Sequence, residues 1–122
     1  MSQDVTGLQA VVLKALEDLK AVDAVALDVS RLTSLTSVMV VASGTSSRHV
    51  RALAEAARDA AKAAGYPVLG MEGDTASEWM LVDMVDLVLH VMLPQTRALY
   101  RLEDLWSARP GRTTAEQAGD GA

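Results

Sequence analysis

The sequence predicts one α/β domain with a small mixed sheet of about five strands and helices packed on that sheet. Segments in which apolar residues recur at helical spacing alternate along the chain with short apolar runs typical of strands. The last two of these runs are separated only by Val85 and Asp86, which favours an antiparallel hairpin and therefore a mixed sheet. A chain of 122 residues has room for one such core.

The first part of the chain is predicted to form a helix followed by two strands. Thr6 is the expected N-cap of a helix that runs to about Lys20, because leucines and valines recur there at helical spacing. Residues 23–30 alternate between valine or leucine and other side chains, which indicates a strand with one better-buried face. Residues 38–42 are continuously apolar, so we expect a central strand covered on both faces.

A second, longer helix is the clearest element of the sequence. Residues 48–64 are strong helix formers with an alanine-rich apolar face, and Ser46 or Ser47 is positioned to cap their N-terminus. Gly65 stands where a left-handed C-cap belongs. An edge strand is expected over residues 66–71, because Pro67 interrupts that apolar run.

The C-terminal part is predicted to contain the hairpin and a short helix. Residues 79–84 and 87–93 are the two strands of the hairpin, and their turn lacks the usual Gly or Asn. An apolar stripe ending at Trp106 predicts a final helix. Residues 107–122 show no apolar periodicity, so we interpret residues 1–106 as the domain and 107–122 as a flexible tail.

The composition restricts the classes of function. Eleven basic and sixteen acidic residues give a net charge of −5, so broad attraction to nucleic acid or anionic lipid is not expected. The chain has no cysteine, which excludes thiol catalysis, disulfides and cysteine-ligated metals. We find no signal peptide and no apolar segment of membrane-spanning length, and we expect a cytoplasmic protein without a membrane partner.

Two groups of residues resemble catalytic sites, and for each we favour a structural interpretation. Gly44–Ser47 lies where a strand is expected to meet a helix, a place that suits phosphate, but the residues lack a P-loop or dinucleotide pattern. Asp83 and Asp86 resemble a two-metal carboxylate pair, yet a separation of three on a strand directs them to opposite faces. His49 and His90 have no evident catalytic partner, and we predict no enzyme, no cofactor and no metal site.

An acidic stretch with large apolar residues is the best candidate for a binding surface. Five carboxylates occur between Glu72 and Asp86 without any Lys or Arg, and Trp79, Met80 and Met84 lie among them. Such a patch is typical of a surface that binds a basic protein. The alternative is that Trp79 only fills the core.

Several short motifs follow one another in the order found in the Iojap-related ribosomal silencing factor family, which the sequence resembles over residues 5–106. They are ALDV (26–29), VASGTSSRHV (41–50), AAGY (63–66), GMEG (70–73), WMLVD (79–83), DLVLHV (86–91) and LYRLEDLW (99–106). The resemblance implies a nucleotidyltransferase-like α/β fold without a working catalytic centre. Two positions depart from the family pattern: Ser37 replaces a usual Asp, and Val85 replaces a frequent Gly.

The resemblance also implies a function. Members of this family bind large-subunit ribosomal protein fourteen, a basic protein, and prevent the small subunit from joining when nutrients are scarce; they are often homodimers when free. By position, Trp79, Asp83, Met84 and Tyr100 match motif residues at or near the partner surface. Two alternatives remain open. One is a ribosome assembly or RNA-binding factor that uses Arg48, Arg51 and Arg58, and the other is a nucleotidyltransferase-like enzyme that uses Gly44–Ser47.

Overall fold

The computed structural model describes residues 5–74 and 76–100, except the side chain of Tyr100. Eight elements of secondary structure lie within these residues. In chain order they are helix α1 (Val5–Asp18), strands β1 (Val22–Asp28) and β2 (Val38–Ser43), helix α2 (Ser47–Ala63), strands β3 (Gly70–Gly73), β4 (Trp79–Asp83) and β5 (Leu87–Met92), and helix α3 (Pro94–Tyr100). The predicted flexible tail lies outside the described residues.

The five strands form one mixed sheet in the order β1-β2-β5-β4-β3. The β2 and β5 strands pair in parallel, whereas β1 with β2, β5 with β4, and β4 with β3 pair antiparallel. This architecture confirms the predicted mixed sheet and the antiparallel hairpin of its last two strands. The predicted central strand β2 is an interior strand, and β5 occupies the middle position.

One face of the sheet is covered by α1 and α2. Alternate residues of β2, β4 and β5 point to this side, and the helices add Leu8, Val12 and Leu16 from α1 and five residues of α2. Small side chains at Ala54, Ala57 and Ala61 allow α2 to lie close to the strands. This layer forms the main hydrophobic core.

A second, smaller cluster lies on the opposite face of the sheet. Its buried members are Val29, Met39, Val41 and Met92, and Trp79 packs against them while remaining partly exposed. No residue of α1 or α2 contributes to this cluster. The face is covered in part by the loop of residues 29–37, whose ends are tied by the Val29 N–H donating to Ser37 O at 2.9 Å. We call the side of the sheet away from α1 and α2 the open face.

The structure corrects several predicted boundaries, among them the end of β1, which is Asp28 and not Ser30. Helix α1 already includes Val5, so Thr6 lies inside its first turn and is not the N-cap. The edge strand begins at Gly70, later than the predicted Tyr66, because the chain between α2 and β3 is irregular around Pro67. Of the two predicted caps of α2, Ser46 is the one that the structure uses: its Oγ accepts a hydrogen bond from His49 N at 3.1 Å. Gly65 has the predicted left-handed backbone, with a φ of 90°.

The turn between β4 and β5 is strained at Val85. Its φ is 70°, in the left-handed region that a β-branched residue rarely occupies. The Asp86 N–H donates to Met84 O at 2.9 Å, which closes a tight three-residue turn around Val85. Asp83 Oδ1 accepts a hydrogen bond from Val85 N at 3.1 Å and helps to hold this conformation. Glycine adopts a positive φ without steric cost, which gives a physical reason for the glycine that the family pattern frequently has at this position.

We predict that Val85→Gly stabilises the protein by about 1 kcal/mol, because relief of the strain exceeds the added backbone entropy of the unfolded chain. Urea denaturation measures this change. Val85→Ala is the matched control, since alanine retains a Cβ and the unfavourable φ, and it should give no gain. Equal stability of the Gly and Ala variants would show that the turn is not strained.

Candidate partner-binding face

Strands β4 and β5 supply the central side chains of the open face. Because residues alternate across a strand, Trp79, Leu81 and Asp83 of β4 lie on this face, while Met80 and Val82 enter the main core. On β5, Val88, His90 and Met92 lie on the same side as these residues. Glu72 of β3 is paired directly with Leu81 and so shares this face.

Trp79 and His90 form a hydrogen-bonded aromatic pair at this face. The indole Nε1–H of Trp79 donates to Nδ1 of His90 at 3.0 Å, and the ring centroids are 5.9 Å apart at an interplanar angle of 53°. Trp79 therefore neither fills the core nor projects freely into solvent. It is a partly exposed aromatic residue held by a specific neighbour.

His90 is neutral in this environment. Burial disfavours the charged imidazolium and lowers the pKa of His90 to about 4 from its ordinary value of 6.5. Because Nδ1 accepts the indole proton, the single proton of the neutral ring lies on Nε2. The sequence analysis found no catalytic partner for His90, and in the structure His90 is a half-buried residue of β5.

A cleft of about 270 Å³ opens beside this pair, between the sheet and the loop of residues 29–37. Its walls are largely apolar, and Leu35 at the rim is 86% exposed. Asp83 is the charged residue of its lining, which consists of Val29, Thr33, Leu35, Thr36, Met39, Asp83, Val88 and His90. An apolar cleft with a carboxylate is suited to a partner that presents both apolar and basic groups.

The structure distributes the predicted site residues differently from the sequence analysis. Trp79 and Asp83 both lie on the open face, whereas the side chain of Met84 is completely buried in the main core, as is most of Met80. Met84 follows the last residue of β4 and continues its alternation, which carries the side chain to the helix side. Tyr100 ends α3, and its side chain lies outside what the structure describes.

The acidic stretch includes groups with local structural roles. Asp74 Oδ1 accepts a hydrogen bond from Glu78 N at 2.8 Å and orders the loop before β4. Asp83 Oδ1 holds Val85 N in the hairpin turn. Within residues 5–74 and 76–100, no group of three or more His, Asp or Glu side chains is arranged to hold a metal ion. The hydrogen bond from Val85 N gives the Asp83 carboxylate a structural role in the hairpin turn.

The Gly44–Ser47 turn is accounted for by helix capping and close packing. A Cβ on Gly44 would lie 2.8 Å from Val50 N and 3.1 Å from Val50 Cα, so only glycine fits against the first turn of α2. Thr45 N donates to His49 Nδ1 at 2.9 Å, and the other ring nitrogen, Nε2, lies 2.7 Å from Leu19 O at the end of α1. His49 thus connects the ends of the two helices.

Two of the three arginines of α2 form ion pairs with neighbouring carboxylates on the same helix. Arg51 lies 3.8 Å from Glu55, and Arg58 Nε lies 2.9 Å from Asp59 Oδ1. These ion pairs reduce the net positive charge of the surface on which the RNA-binding alternative depends.

In the part of the chain that the structure describes, no helix has the length and hydrophobicity needed to cross a membrane.

Loop 29–37 is the part of the site that the sequence analysis missed. The sequence analysis assigned Val29 and Ser30 to the first strand and gave residues 31–37 no role, although Thr33, Leu35 and Thr36 line the cleft. Leu35, a large apolar residue in a polar loop, was the available signal. The Trp79–His90 contact was also missed, although a hairpin with a two-residue turn places these positions diagonally across neighbouring strands.

Comparison with known proteins gives a consistent result. The sequence profile described as "Ribosomal silencing factor during starvation" matches residues 2–120. The "Ribosomal silencing factor RsfS" of Chromobacterium violaceum is 43% identical over 106 residues, which cover 87% of each chain. The mouse "Mitochondrial assembly of ribosomal large subunit protein 1" is 39% identical over 77 residues, or 61% of this chain and 34% of the mouse protein.

Solved structures agree with the sequence relatives. A crystal structure of a Chromobacterium violaceum protein has a TM-score of 0.84 and 42% identity, and the match covers 90% of this chain and 92% of that chain. A crystal structure of a Bacillus halodurans protein has a TM-score of 0.74 and 31% identity, covering 83% of this chain and 94% of that chain.

The lowered pKa of His90 predicts a dependence of stability on pH. The unfolded chain takes up a proton near pH 6.5 and the folded chain only near pH 4, so the free energy of unfolding falls as the pH decreases between these values. The contribution from His90 amounts to about 2 kcal/mol between pH 7 and pH 5. Urea denaturation of the wild type and of His90→Asn at both pH values measures it.

All other titratable groups are common to the two proteins, so the difference between their pH dependences isolates His90. The variant should lose less stability than the wild type over this range. Parallel pH profiles would mean that His90 titrates normally in the folded protein.

Proposed function

Because the chain belongs to the ribosomal silencing factor family, we propose that it represses translation by binding the large ribosomal subunit and preventing the small subunit from joining under nutrient limitation. The protein partner in this proposal is large-subunit ribosomal protein fourteen. The name of the mouse relative, which refers to assembly of the large ribosomal subunit, supports an association with that subunit. The site of action is then the cytoplasm, where the ribosomes are.

The open face is the surface we assign to the partner, and Trp79 is the observation that carries this assignment. Partly exposed tryptophans surrounded by apolar and polar groups are frequent energetic centres of protein interfaces. Trp79 packs against the smaller cluster and lies on the same face as the acidic residues Glu72 and Asp83. A basic ribosomal protein matches this combination of an aromatic anchor and negative charge.

Among the predicted partner residues, the structure favours a division of roles. Trp79 offers exposed aromatic surface, and Asp83 contributes charge at the cleft. Met84 supports the face from the core, because its side chain has no exposed surface. Tyr100 remains a proposed contact on the basis of its motif position alone. We also propose that the free protein forms a homodimer, as the family resemblance implies.

The proposed mechanism is steric and involves no catalysis. A bound domain of this size at the subunit interface occupies space that the small subunit needs. Tight binding to one subunit is then sufficient, and neither a cofactor nor a metal is required. The turn at Gly44 and the carboxylate of Asp83, which resembled enzymatic features in the sequence, have the structural contacts described above.

We predict that Trp79→Ala weakens binding to purified large subunits by about 2 kcal/mol, or roughly thirtyfold in Kd, because it removes the aromatic anchor. Cosedimentation over a range of protein concentrations gives the Kd. Leu19→Ala is the matched control, since it truncates an exposed apolar residue that follows α1 in the helix layer. It should bind as the wild type does.

Arg51→Ala separates this proposal from the RNA-binding alternative. Arg51 lies on the exposed side of α2, on the helix layer, and the silencing proposal gives it no contact with the partner. A large loss of affinity for Arg51→Ala, together with unchanged binding of a folded Trp79→Ala, would favour RNA binding through α2 and contradict the assignment of the open face.

A further inference from the structure

We propose that His90 is a positioning residue for partner binding: its Nδ1 holds the indole of Trp79 in the orientation in which the partner receives it. This inference rests on the proposed function, because it assigns a role to His90 at the same face. It goes further by making the tryptophan and the histidine one unit, in which His90 acts through Trp79.

The geometry gives His90 control over the orientation of Trp79. A tryptophan side chain rotates about two bonds, and an indole on a sheet surface has several accessible orientations. The 3.0 Å hydrogen bond fixes the Nε1 edge, and the tilted ring contact at 5.9 Å restricts the plane of the indole. Both restraints come from one residue on the neighbouring strand, and the β4–β5 pairing holds that residue in register.

Fixing the indole before binding favours association in two ways. An anchor that is already ordered loses less conformational entropy when the partner arrives. The hydrogen bond also satisfies the indole N–H, so a partner can cover Trp79 without supplying an acceptor of its own. Without His90, the indole N–H would need another acceptor before a partner could cover Trp79 at no cost.

The protonation state of His90 suits this role. Nδ1 can accept the indole proton only while it carries no proton itself, and burial lowers the pKa of His90 far enough to keep the ring neutral near pH 7. The stable arrangement is therefore the one in which the indole N–H donates to Nδ1 and the imidazole carries its own proton on Nε2.

A double-mutant cycle on the full chain tests this inference. His90→Phe keeps an aromatic ring but removes the acceptor, His90→Asn keeps a side-chain acceptor near the position of Nδ1, and Trp79→Phe keeps an aromatic ring without the N–H. The Kd for purified large subunits is measured by cosedimentation for each variant and for the double variant Trp79→Phe with His90→Phe. His90→Leu replaces His90→Phe if the phenylalanine variant does not fold.

We expect His90→Phe to weaken binding by about tenfold and His90→Asn by less than about threefold. In the Trp79→Phe background, the same His90→Phe change should alter the Kd by less than about twofold, because no N–H remains to be held. A role of His90 in general stability would weaken binding equally in both backgrounds, and that result would overturn the inference.

A second measurement examines the hydrogen bond in the free protein. The indole N–H signal of Trp79 in a ¹⁵N–¹H spectrum is assigned by its loss in Trp79→Phe, and it should exchange with water faster in His90→Phe than in the wild type. Unchanged exchange of the indole N–H in His90→Phe, or full affinity of a folded His90→Phe, would contradict the positioning role but not the proposed function. Failure of the wild type to bind large subunits would overturn the proposed function, and the positioning role with it.

Discussion

The parallel pairing of β2 with β5 is the interaction on which the arrangement of the site depends. It joins the N-terminal half of the chain, from α1 through α2, to the C-terminal hairpin of β4 and β5. Its register places Val41 beside His90 and Met39 beside Val88, so the smaller buried cluster and the Trp79–His90 pair become parts of one surface. Without this pairing, the cleft beneath loop 29–37 would lose one of its walls.

The second constraint is the unequal covering of the sheet. Helices α1 and α2 cover one face and bury its central strands, and the alternation of side chains along each strand sends every other residue to the open face. The apolar residues there exceed what the smaller cluster and loop 29–37 enclose, since Trp79 and Leu35 retain exposed surface. A sheet face of this kind is stable in the free protein and still offers apolar area to a partner.

The sequence was informative where structure is determined locally. The α2 helix, its Ser46 cap and the β4–β5 hairpin follow from short-range patterns, and all were predicted. The order of the strands depends on a long-range parallel pairing, which no local pattern contains. The burial of Met84 was missed for a different reason: Met84 was assigned to the partner surface by its motif position, although the alternation of β4 places it with Met80 and Val82 in the main core.

Val85 illustrates how a departure from a family pattern acquires a physical meaning only in the structure. From the sequence it is a change in a turn, whereas the structure shows a β-branched residue at a φ of 70°. Ser37, the other departure, takes part through its backbone: its N–H donates to Asp86 O at 3.0 Å and its carbonyl accepts from Val29 N at 2.9 Å. Those hydrogen bonds do not depend on the side chain that replaces the usual Asp.

The most direct test of the central claim is a subunit-joining measurement. Separated small and large subunits are mixed at a Mg²⁺ concentration that supports joining, with increasing amounts of the protein, and the particles are resolved by sedimentation. The account predicts that the joined particle disappears in proportion to the protein bound, and that the protein migrates with the large subunit. Complete joining in the presence of saturating bound protein, or migration with the small subunit instead, would contradict it.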